Sequence, residues 1–172
     1  MHTKITLSGR ICTGKSTVFR LLAEKLKWPT FSASQAFRDY AKTHQKSLQL
    51  AEEQNDQLTK SIDEKTRVVL LSNDHIIAEG WMAGIMAEGM PDVLRVLLTC
   101  DDSVREKRFA DRSSLSMEEA KRQISEREEN WVAKLTNMYG RSDFFDPKKY
   151  TFVVNTTHRT PEESVEEIMR HL

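Results

Sequence analysis

The run Gly9-Arg10-Ile11-Cys12-Thr13-Gly14-Lys15-Ser16-Thr17 satisfies the spacing G-x-x-x-x-G-K-[ST]. Glycines at these places let the backbone fold so that successive N–H groups converge on phosphate oxygens, and the helix that must follow adds the partial positive charge of its N-terminus. Gly9, Thr13, Gly14 and Thr17 belong to that cradle. Lys15 is placed to reach the β- and γ-phosphates of ATP, and Ser16 offers a hydroxyl to Mg²⁺, a hard cation that takes oxygen ligands and keeps several waters. Four fixed positions arise by accident in about one chain in a hundred of this length. The motif also sits between a β-like run and a helical pattern, as its function requires.

Phosphate binding alone suits a switch, a motor or a kinase, so the other polar residues must decide. Arginines 105, 108, 112, 122 and 127 fall in a 23-residue stretch. Arg105, Arg108 and Arg112 share one helix face by their i, i+3, i+7 spacing, which would suit a phosphate clamp. Residues 101 to 130 also carry nine acids against seven bases, the composition of a salt-bridged, solvated helix pair. Spacing alone favours the solvated pair.

Five apolar runs are expected to form the strands that position these groups. They are Ile5 to Ser8, Thr30 to Ser32, His75 to Glu79, Val93 to Thr99 and Tyr150 to Val154. The last two are apolar enough to be buried on both faces, as in a parallel sheet. Helical patterns lie between the runs: Val18, Leu21, Leu22 and Leu26 share a face, as do Val165, Ile168, Met169 and Leu172. Val68 to Leu71 reads as the end of a helix. Ser103 to Glu106, Ser116 to Glu119, and Thr160 to Glu163 with Pro161 carry the capping pattern S/T-x-x-E. Strands alternating with helices imply an α/β fold.

With 172 residues and no linker or repeat, the chain is expected to form one domain, residues 1–172. Lys plus Arg and Asp plus Glu both number 26, so no overall field favours a nucleic-acid polymer or a membrane surface, and any anion site must be local. No run reaches the ~20 apolar residues of a membrane span. Cys12 and Cys100 are too few for a disulfide framework and the N-terminus lacks a signal-peptide pattern, which points to a cytoplasmic protein. The cysteines and five histidines show no zinc spacing. Cys12 is either a thiol activated by the helix N-terminus or a tolerated loop residue, and His75 reads as structural.

From end to end the chain resembles cytidylate kinases, particularly the short archaeal-type members. The resemblance rests on the phosphate loop and on Ser32-Ala33-Ser34-Gln35-Ala36-Phe37-Arg38, Ile62-Asp63, Ala78-Glu79-Gly80 followed by Ala83-Gly84, and Val104-Arg105-Glu106-Lys107-Arg108. It continues through Ser116-Met117-Glu118-Glu119-Ala120, Glu126-Arg127-Glu128, Tyr139-Gly140 and Asn155-Thr156. It implies a three-layer α/β/α P-loop fold with a five-stranded parallel sheet, a helical monophosphate-binding insert at about 33–66 and a short lid at about 109–124. It implies that Ser32, Arg38, Asp63, Glu79, Gly80 and Trp81 line the acceptor site, with Arg38 on the acceptor phosphate. Arg108, Arg112 and Arg127 match lid-region arginines around the transferred phosphoryl group. Where relatives read Glu-Gly-Arg this chain has Glu79-Gly80-Trp81, and a later lid arginine aligns with Lys134.

The implied reaction is ATP- and Mg²⁺-dependent phosphorylation of a nucleoside monophosphate, CMP or dCMP, by a monomeric enzyme. A phosphate acceptor is already ionised near neutral pH and needs no general base. The obstacle is repulsion: unit charges 4 Å apart cost about 4 kcal/mol at an effective dielectric of 20, which Lys15, Arg38, Mg²⁺ and the lid arginines would offset. Glu79 either orders Mg²⁺-bound water or the acceptor, or caps a neighbouring loop. Two alternatives stand beside this one: a kinase of a hydroxyl acceptor, for which Asp39 and Glu79 are the candidate bases, and a nucleotide-binding regulator with weakened catalysis.

Overall fold

The computed structural model describes residues 2–45 and 55–172. Residues 46–54, part of the expected insert, lie outside the described residues. The chain runs β1 (Lys4–Ser8), α1 (Lys15–Leu26), β2 (Thr30–Ser32), α2 (Ala33–Thr43), α3 (Asp56–Ser72), β3 (Ile76–Glu79) and α4 (Ala83–Met86). It continues as β4 (Val93–Thr99), α5 (Asp102–Ser113), α6 (Met117–Tyr139), β5 (Phe152–Asn155) and α7 (Pro161–Met169).

The five strands form one sheet in the order β2-β3-β1-β4-β5, and every neighbouring pair is parallel. Because side chains alternate along a strand, β3 and β4 feed two cores. Ile5, Leu7, Ile77, Leu94, Val96 and Leu98 face Val18 and Leu22 of α1 and Val165 and Ile168 of α7. Ile76, Ala78 and Val93 face the other way, against Leu70 of α3 and Ala87. The result is the expected three-layer α/β/α arrangement with helices on both faces. Order reverses about β1 and β4, whose onward connections leave in opposite directions, so a crevice opens at the carboxyl end of β1, where α/β folds bind ligands.

Several boundaries differ from the sequence expectation. The capping pattern at Ser103 is not used: Asp101 is the N-cap of α5. Ser116 does accept from the Glu119 amide, and Thr160 with Glu163 forms the complete capping box, with Pro161 in the first turn. The fifth strand is shifted to Phe152–Asn155, with Tyr150 packed below it, and it is not buried on both faces. It is the edge of the sheet, and Val153 is 37% exposed. Among the described residues no helix is long and apolar enough to cross a membrane.

Candidate active site

The phosphate loop leaves β1 at Gly9, whose φ of +152° places the site of a Cβ 2.5 Å from the Leu98 carbonyl oxygen. Only glycine fits that approach. Gly14 (φ 90°) then turns the chain in the left-handed region and starts α1, which carries no side-chain cap. The first-turn N–H groups of α1 are therefore not closed off by a side chain. Thr13 is buried, and its hydroxyl donates to the Arg10 carbonyl at 3.0 Å. Lys15 folds over the loop, its Nζ 2.9 Å from the Gly9 carbonyl and 3.3 Å from that of Arg10. Burial pushes its pKa down, an effect opposed mainly by the negative charge of Glu79.

The loop opens into a cleft of about 670 Å³. Gly14, Lys15, Ser16 and Thr17 line one end, and Arg38, Arg108, Arg112 and Arg127 line it as well. Arg108 and Arg127 are partly buried, whereas Arg38 and Arg112 are exposed. Arg127 stands apart. Among the described residues its buried Nε has no hydrogen-bond partner, and its pKa is lowered by burial and then by the charges of Arg112 and Arg38. The guanidinium groups of Arg38 on α2 and Arg112 on α5 thus both repel that of Arg127 on α6 in one cleft. Arg108 is anchored, donating to the Thr156 carbonyl at 2.8 Å and to the Cys12 carbonyl at 3.4 Å. Thr156 donates in turn to the Thr13 carbonyl at 2.9 Å, so the loop, α5 and the end of β5 are tied together.

Aromatic and apolar groups supply the wall between the cations. Phe37 meets Trp131 edge-on at 5.3 Å, and Trp81 meets Phe145 edge-on at 5.2 Å. Phe37, Trp81, Met82, Trp131 and Leu135 all line the cleft. Trp81 both packs into the core and presents surface to the cleft. Asp63, on α3, also lines it, only 4% exposed. Burial pushes its carboxyl up to about 6 despite a hydrogen bond donated by Tyr139 at 2.7 Å.

The remaining expected residues lie just behind this surface. Glu79 is buried at the end of β3, where it accepts from the hydroxyls of Ser32 and Ser34. Gly80 follows, with the site of a Cβ 2.8 Å from that of Ala33, so its lack of a side chain lets α2 close on the strand. Arg105 does not join Arg108 and Arg112 as a clamp. It is 4% exposed and bonded to Glu128, Asp102 and the Ile11 carbonyl. Arg122 faces away, paired with Glu119 and Glu126, as the solvated pattern required. Lys134 bridges to Asp56 at 3.0 Å and lies over the Trp131 ring. The Cys12 thiol pKa is raised by burial rather than lowered, which favours a loop residue over a reactive thiol. Asp39 takes a bond from the Gln35 amide on the exposed side of α2.

The donor set suits a nucleoside triphosphate with Mg²⁺. A glycine-lined cradle and an uncapped helix start face a lysine and the exposed Ser16 hydroxyl. Among the described residues no group of three or more His, Cys, Asp or Glu could hold a metal. A single hydroxyl completed by phosphate oxygens and waters is a normal Mg²⁺ site.

Residues 4–158 match the model of the cytidylate kinase-like family. The chain belongs to the cytidylate kinase-like family. Among its relatives, the cytidylate kinase of Natronomonas pharaonis is 34% identical over 161 residues, 92% of this chain and 83% of the relative. That of Sulfolobus acidocaldarius is 33% identical over 170 residues, 96% and 92% of the two chains. A crystal structure of shikimate kinase from Bacteroides thetaiotaomicron superposes with a TM-score of 0.64 over 98% of this chain and 97% of that one, at 17% identity, which speaks for the fold alone. Family membership makes this chain a nucleoside monophosphate kinase, as the resemblance implied.

Sequence reasoning assigned no role to Glu128 or Thr156, although both lie in motifs quoted for the resemblance. An acid beside an arginine on a charged helix reads as surface, and only packing shows it buried.

Proposed function

We propose that this kinase transfers the γ-phosphoryl group of ATP to CMP or dCMP. The observation that carries this reading is the convergence of Arg38, Arg112 and Arg127 on one cleft whose other end is the phosphate loop. Like charges held this close in a partly buried site are unfavourable until an anion joins them. An acceptor phosphate would meet Arg38 from α2, while Lys15, Arg108, Arg112 and Arg127 would offset the charge of the group in transit. Bound Mg²⁺, with Ser16 as its protein ligand, would neutralise further phosphate charge.

The cytosine preference is supported by Asp63. A buried carboxylate accepts hydrogen bonds, so it suits the exocyclic amino group of cytosine and opposes the carbonyl at the same position of uracil. Phe37, Trp81 and Trp131 offer rings that a base can pack against. The hydroxyl-acceptor reading finds less support, since both of its candidate bases already have partners. Asp39 does not line the cleft and accepts from Gln35, which in turn accepts from Arg38, and Glu79 already accepts from two serine hydroxyls.

The test is ADP formation from ATP and Mg²⁺ with CMP, dCMP, UMP, AMP, GMP and TMP, and with Lys15→Ala as control. CMP or dCMP is expected to be turned over fastest, and Lys15→Ala to lose about a hundredfold or more. A wild-type enzyme that binds ATP yet phosphorylates neither cytidine nucleotide sinks the substrate assignment. Trp81→Arg, which supplies the cation that the family resemblance implies at this place, separates two roles for Trp81. A gain on CMP means that the tryptophan weakens the site, and a loss means that it contacts the acceptor.

A further inference from the structure

We propose that Glu128 is a positioning residue for phosphoryl transfer, pinning the phosphate loop to the base of the α5–α6 hairpin and thereby setting where Arg127 stands in the cleft. The inference rests on the kinase reading above, but not on which monophosphate is the acceptor.

Glu128 projects from the middle of α6 and is 5% exposed. One carboxylate oxygen accepts from the Ile11 amide at 2.9 Å and from Arg105 Nη1 at 2.7 Å, and the other accepts from Arg10 Nη1 at 2.9 Å. Arg105 Nη1 also donates to the Ile11 carbonyl at 2.9 Å, while its Nη2 is held by Asp102 at 2.6 Å. Ile11 is therefore gripped on both sides, its N–H by α6 and its C=O by α5. Its side chain is clamped as well, packed among Phe109, Ala110, Ala120 and Ile124 of the hairpin.

Arg127 is the neighbouring residue on the same helix and lines the cleft. A helix moves as a rigid rod over one residue, with about 1.5 Å rise. Any slide or rotation of α6 that displaces Arg127 must therefore pull Glu128 from the loop. Transfer depends on placing charged groups to within a fraction of an ångström of the in-line geometry. A buried ion pair adds little stability that a well-packed apolar pair would not. What it supplies here is a fixed register between the loop that holds the donor and the helix that carries Arg127.

The test compares wild type, Glu128→Gln, Arg127→Ala and the Glu128→Gln/Arg127→Ala double variant. The readouts are kcat and KM on whichever monophosphate the wild type turns over, at a temperature where circular dichroism shows each variant folded. Each single change is expected to lower kcat by at least about tenfold while KM for ATP moves less than about threefold. The double variant is expected to lose no more than about threefold beyond the worse single, because Glu128 acts through Arg127. A double variant that loses the full product of the two single effects overturns the proposal, as does a folded Glu128→Gln enzyme with wild-type kcat. Arg105→Met/Glu128→Leu removes both buried charges and guards against a Glu128→Gln chain that does not fold. It is expected to keep the kcat defect, and recovery of wild-type kcat there means that the pair serves folding alone. A wrong guess of acceptor shows in the wild-type panel before any variant is made and leaves this comparison intact.

Discussion

Asp63 is the residue whose chemistry is most exposed to test. Its carboxyl titrates near 3.9 in an unfolded chain and is pushed up to about 6 here. The folded protein thus keeps a proton that the unfolded chain releases between about pH 4 and 6. Stability from this group is lost as pH rises through that window, and above it the buried charge costs roughly 2–3 kcal/mol. Asp63→Asn removes the charge while leaving an oxygen for Tyr139, so its thermal midpoint is expected to exceed that of wild type by several degrees at pH 7.5. The gap should close toward pH 4.5, and a gap independent of pH refutes the assignment. The same variant can donate to uracil, so the ratio of kcat/KM for CMP over UMP should fall by about tenfold or more. A ratio left unchanged removes Asp63 from base selection. The sequence marked Asp63 only through the motif Ile62-Asp63; its burial and its tyrosine come from a helix 76 residues away.

At the level of elements, two helix starts show how local signals succeed and fail. The cap at Thr160 was readable because its chemistry spans four residues and needs no partner beyond them. Thr160→Ala is expected to destabilise the protein by about 1 kcal/mol in chemical unfolding, with kcat unchanged. The Ser103 pattern failed because Asp101, two residues earlier, starts α5 instead. Gly80 illustrates a long-range requirement: a methyl group there meets Ala33 at the first turn of α2. Gly80→Ala should therefore cost about 1–3 kcal/mol by overpacking, and it should raise KM for the acceptor, since α2 also carries Arg38. A variant as stable as wild type would mean that α2 yields without strain. The arginines on α5 divide for a similar reason. Spacing put Arg105, Arg108 and Arg112 on one face, but that face meets two different surroundings, the buried carboxylate of Glu128 and the open cleft.

For the molecule as a whole, ligand and fold are linked by mass action. ATP with Mg²⁺ at about a hundred times its Kd stabilises a protein that binds it only when folded by about 2.7 kcal/mol, or roughly 5–10 °C in a domain of this size. Lys15→Ala is expected to lose most of that shift, and equal shifts in the two proteins would place the triphosphate elsewhere. The phosphate loop, strands β1 to β4 and the parallel α/β class were readable from the amino-acid sequence, because each depends on residues close together in the chain or on hydrophobic period, and the family was readable from the order of its motifs. Only the tertiary structure decided that Arg105 leaves its face-mates for Glu128, that Trp81 sits between core and cleft, that β5 is a half-exposed edge, and that Glu128 holds the loop. These depend on burial and on contacts between residues far apart in the chain, as Thr13 and Thr156 are at 143 positions. A charged side chain has the same identity whether it ends in water or inside the fold, and packing alone makes the choice.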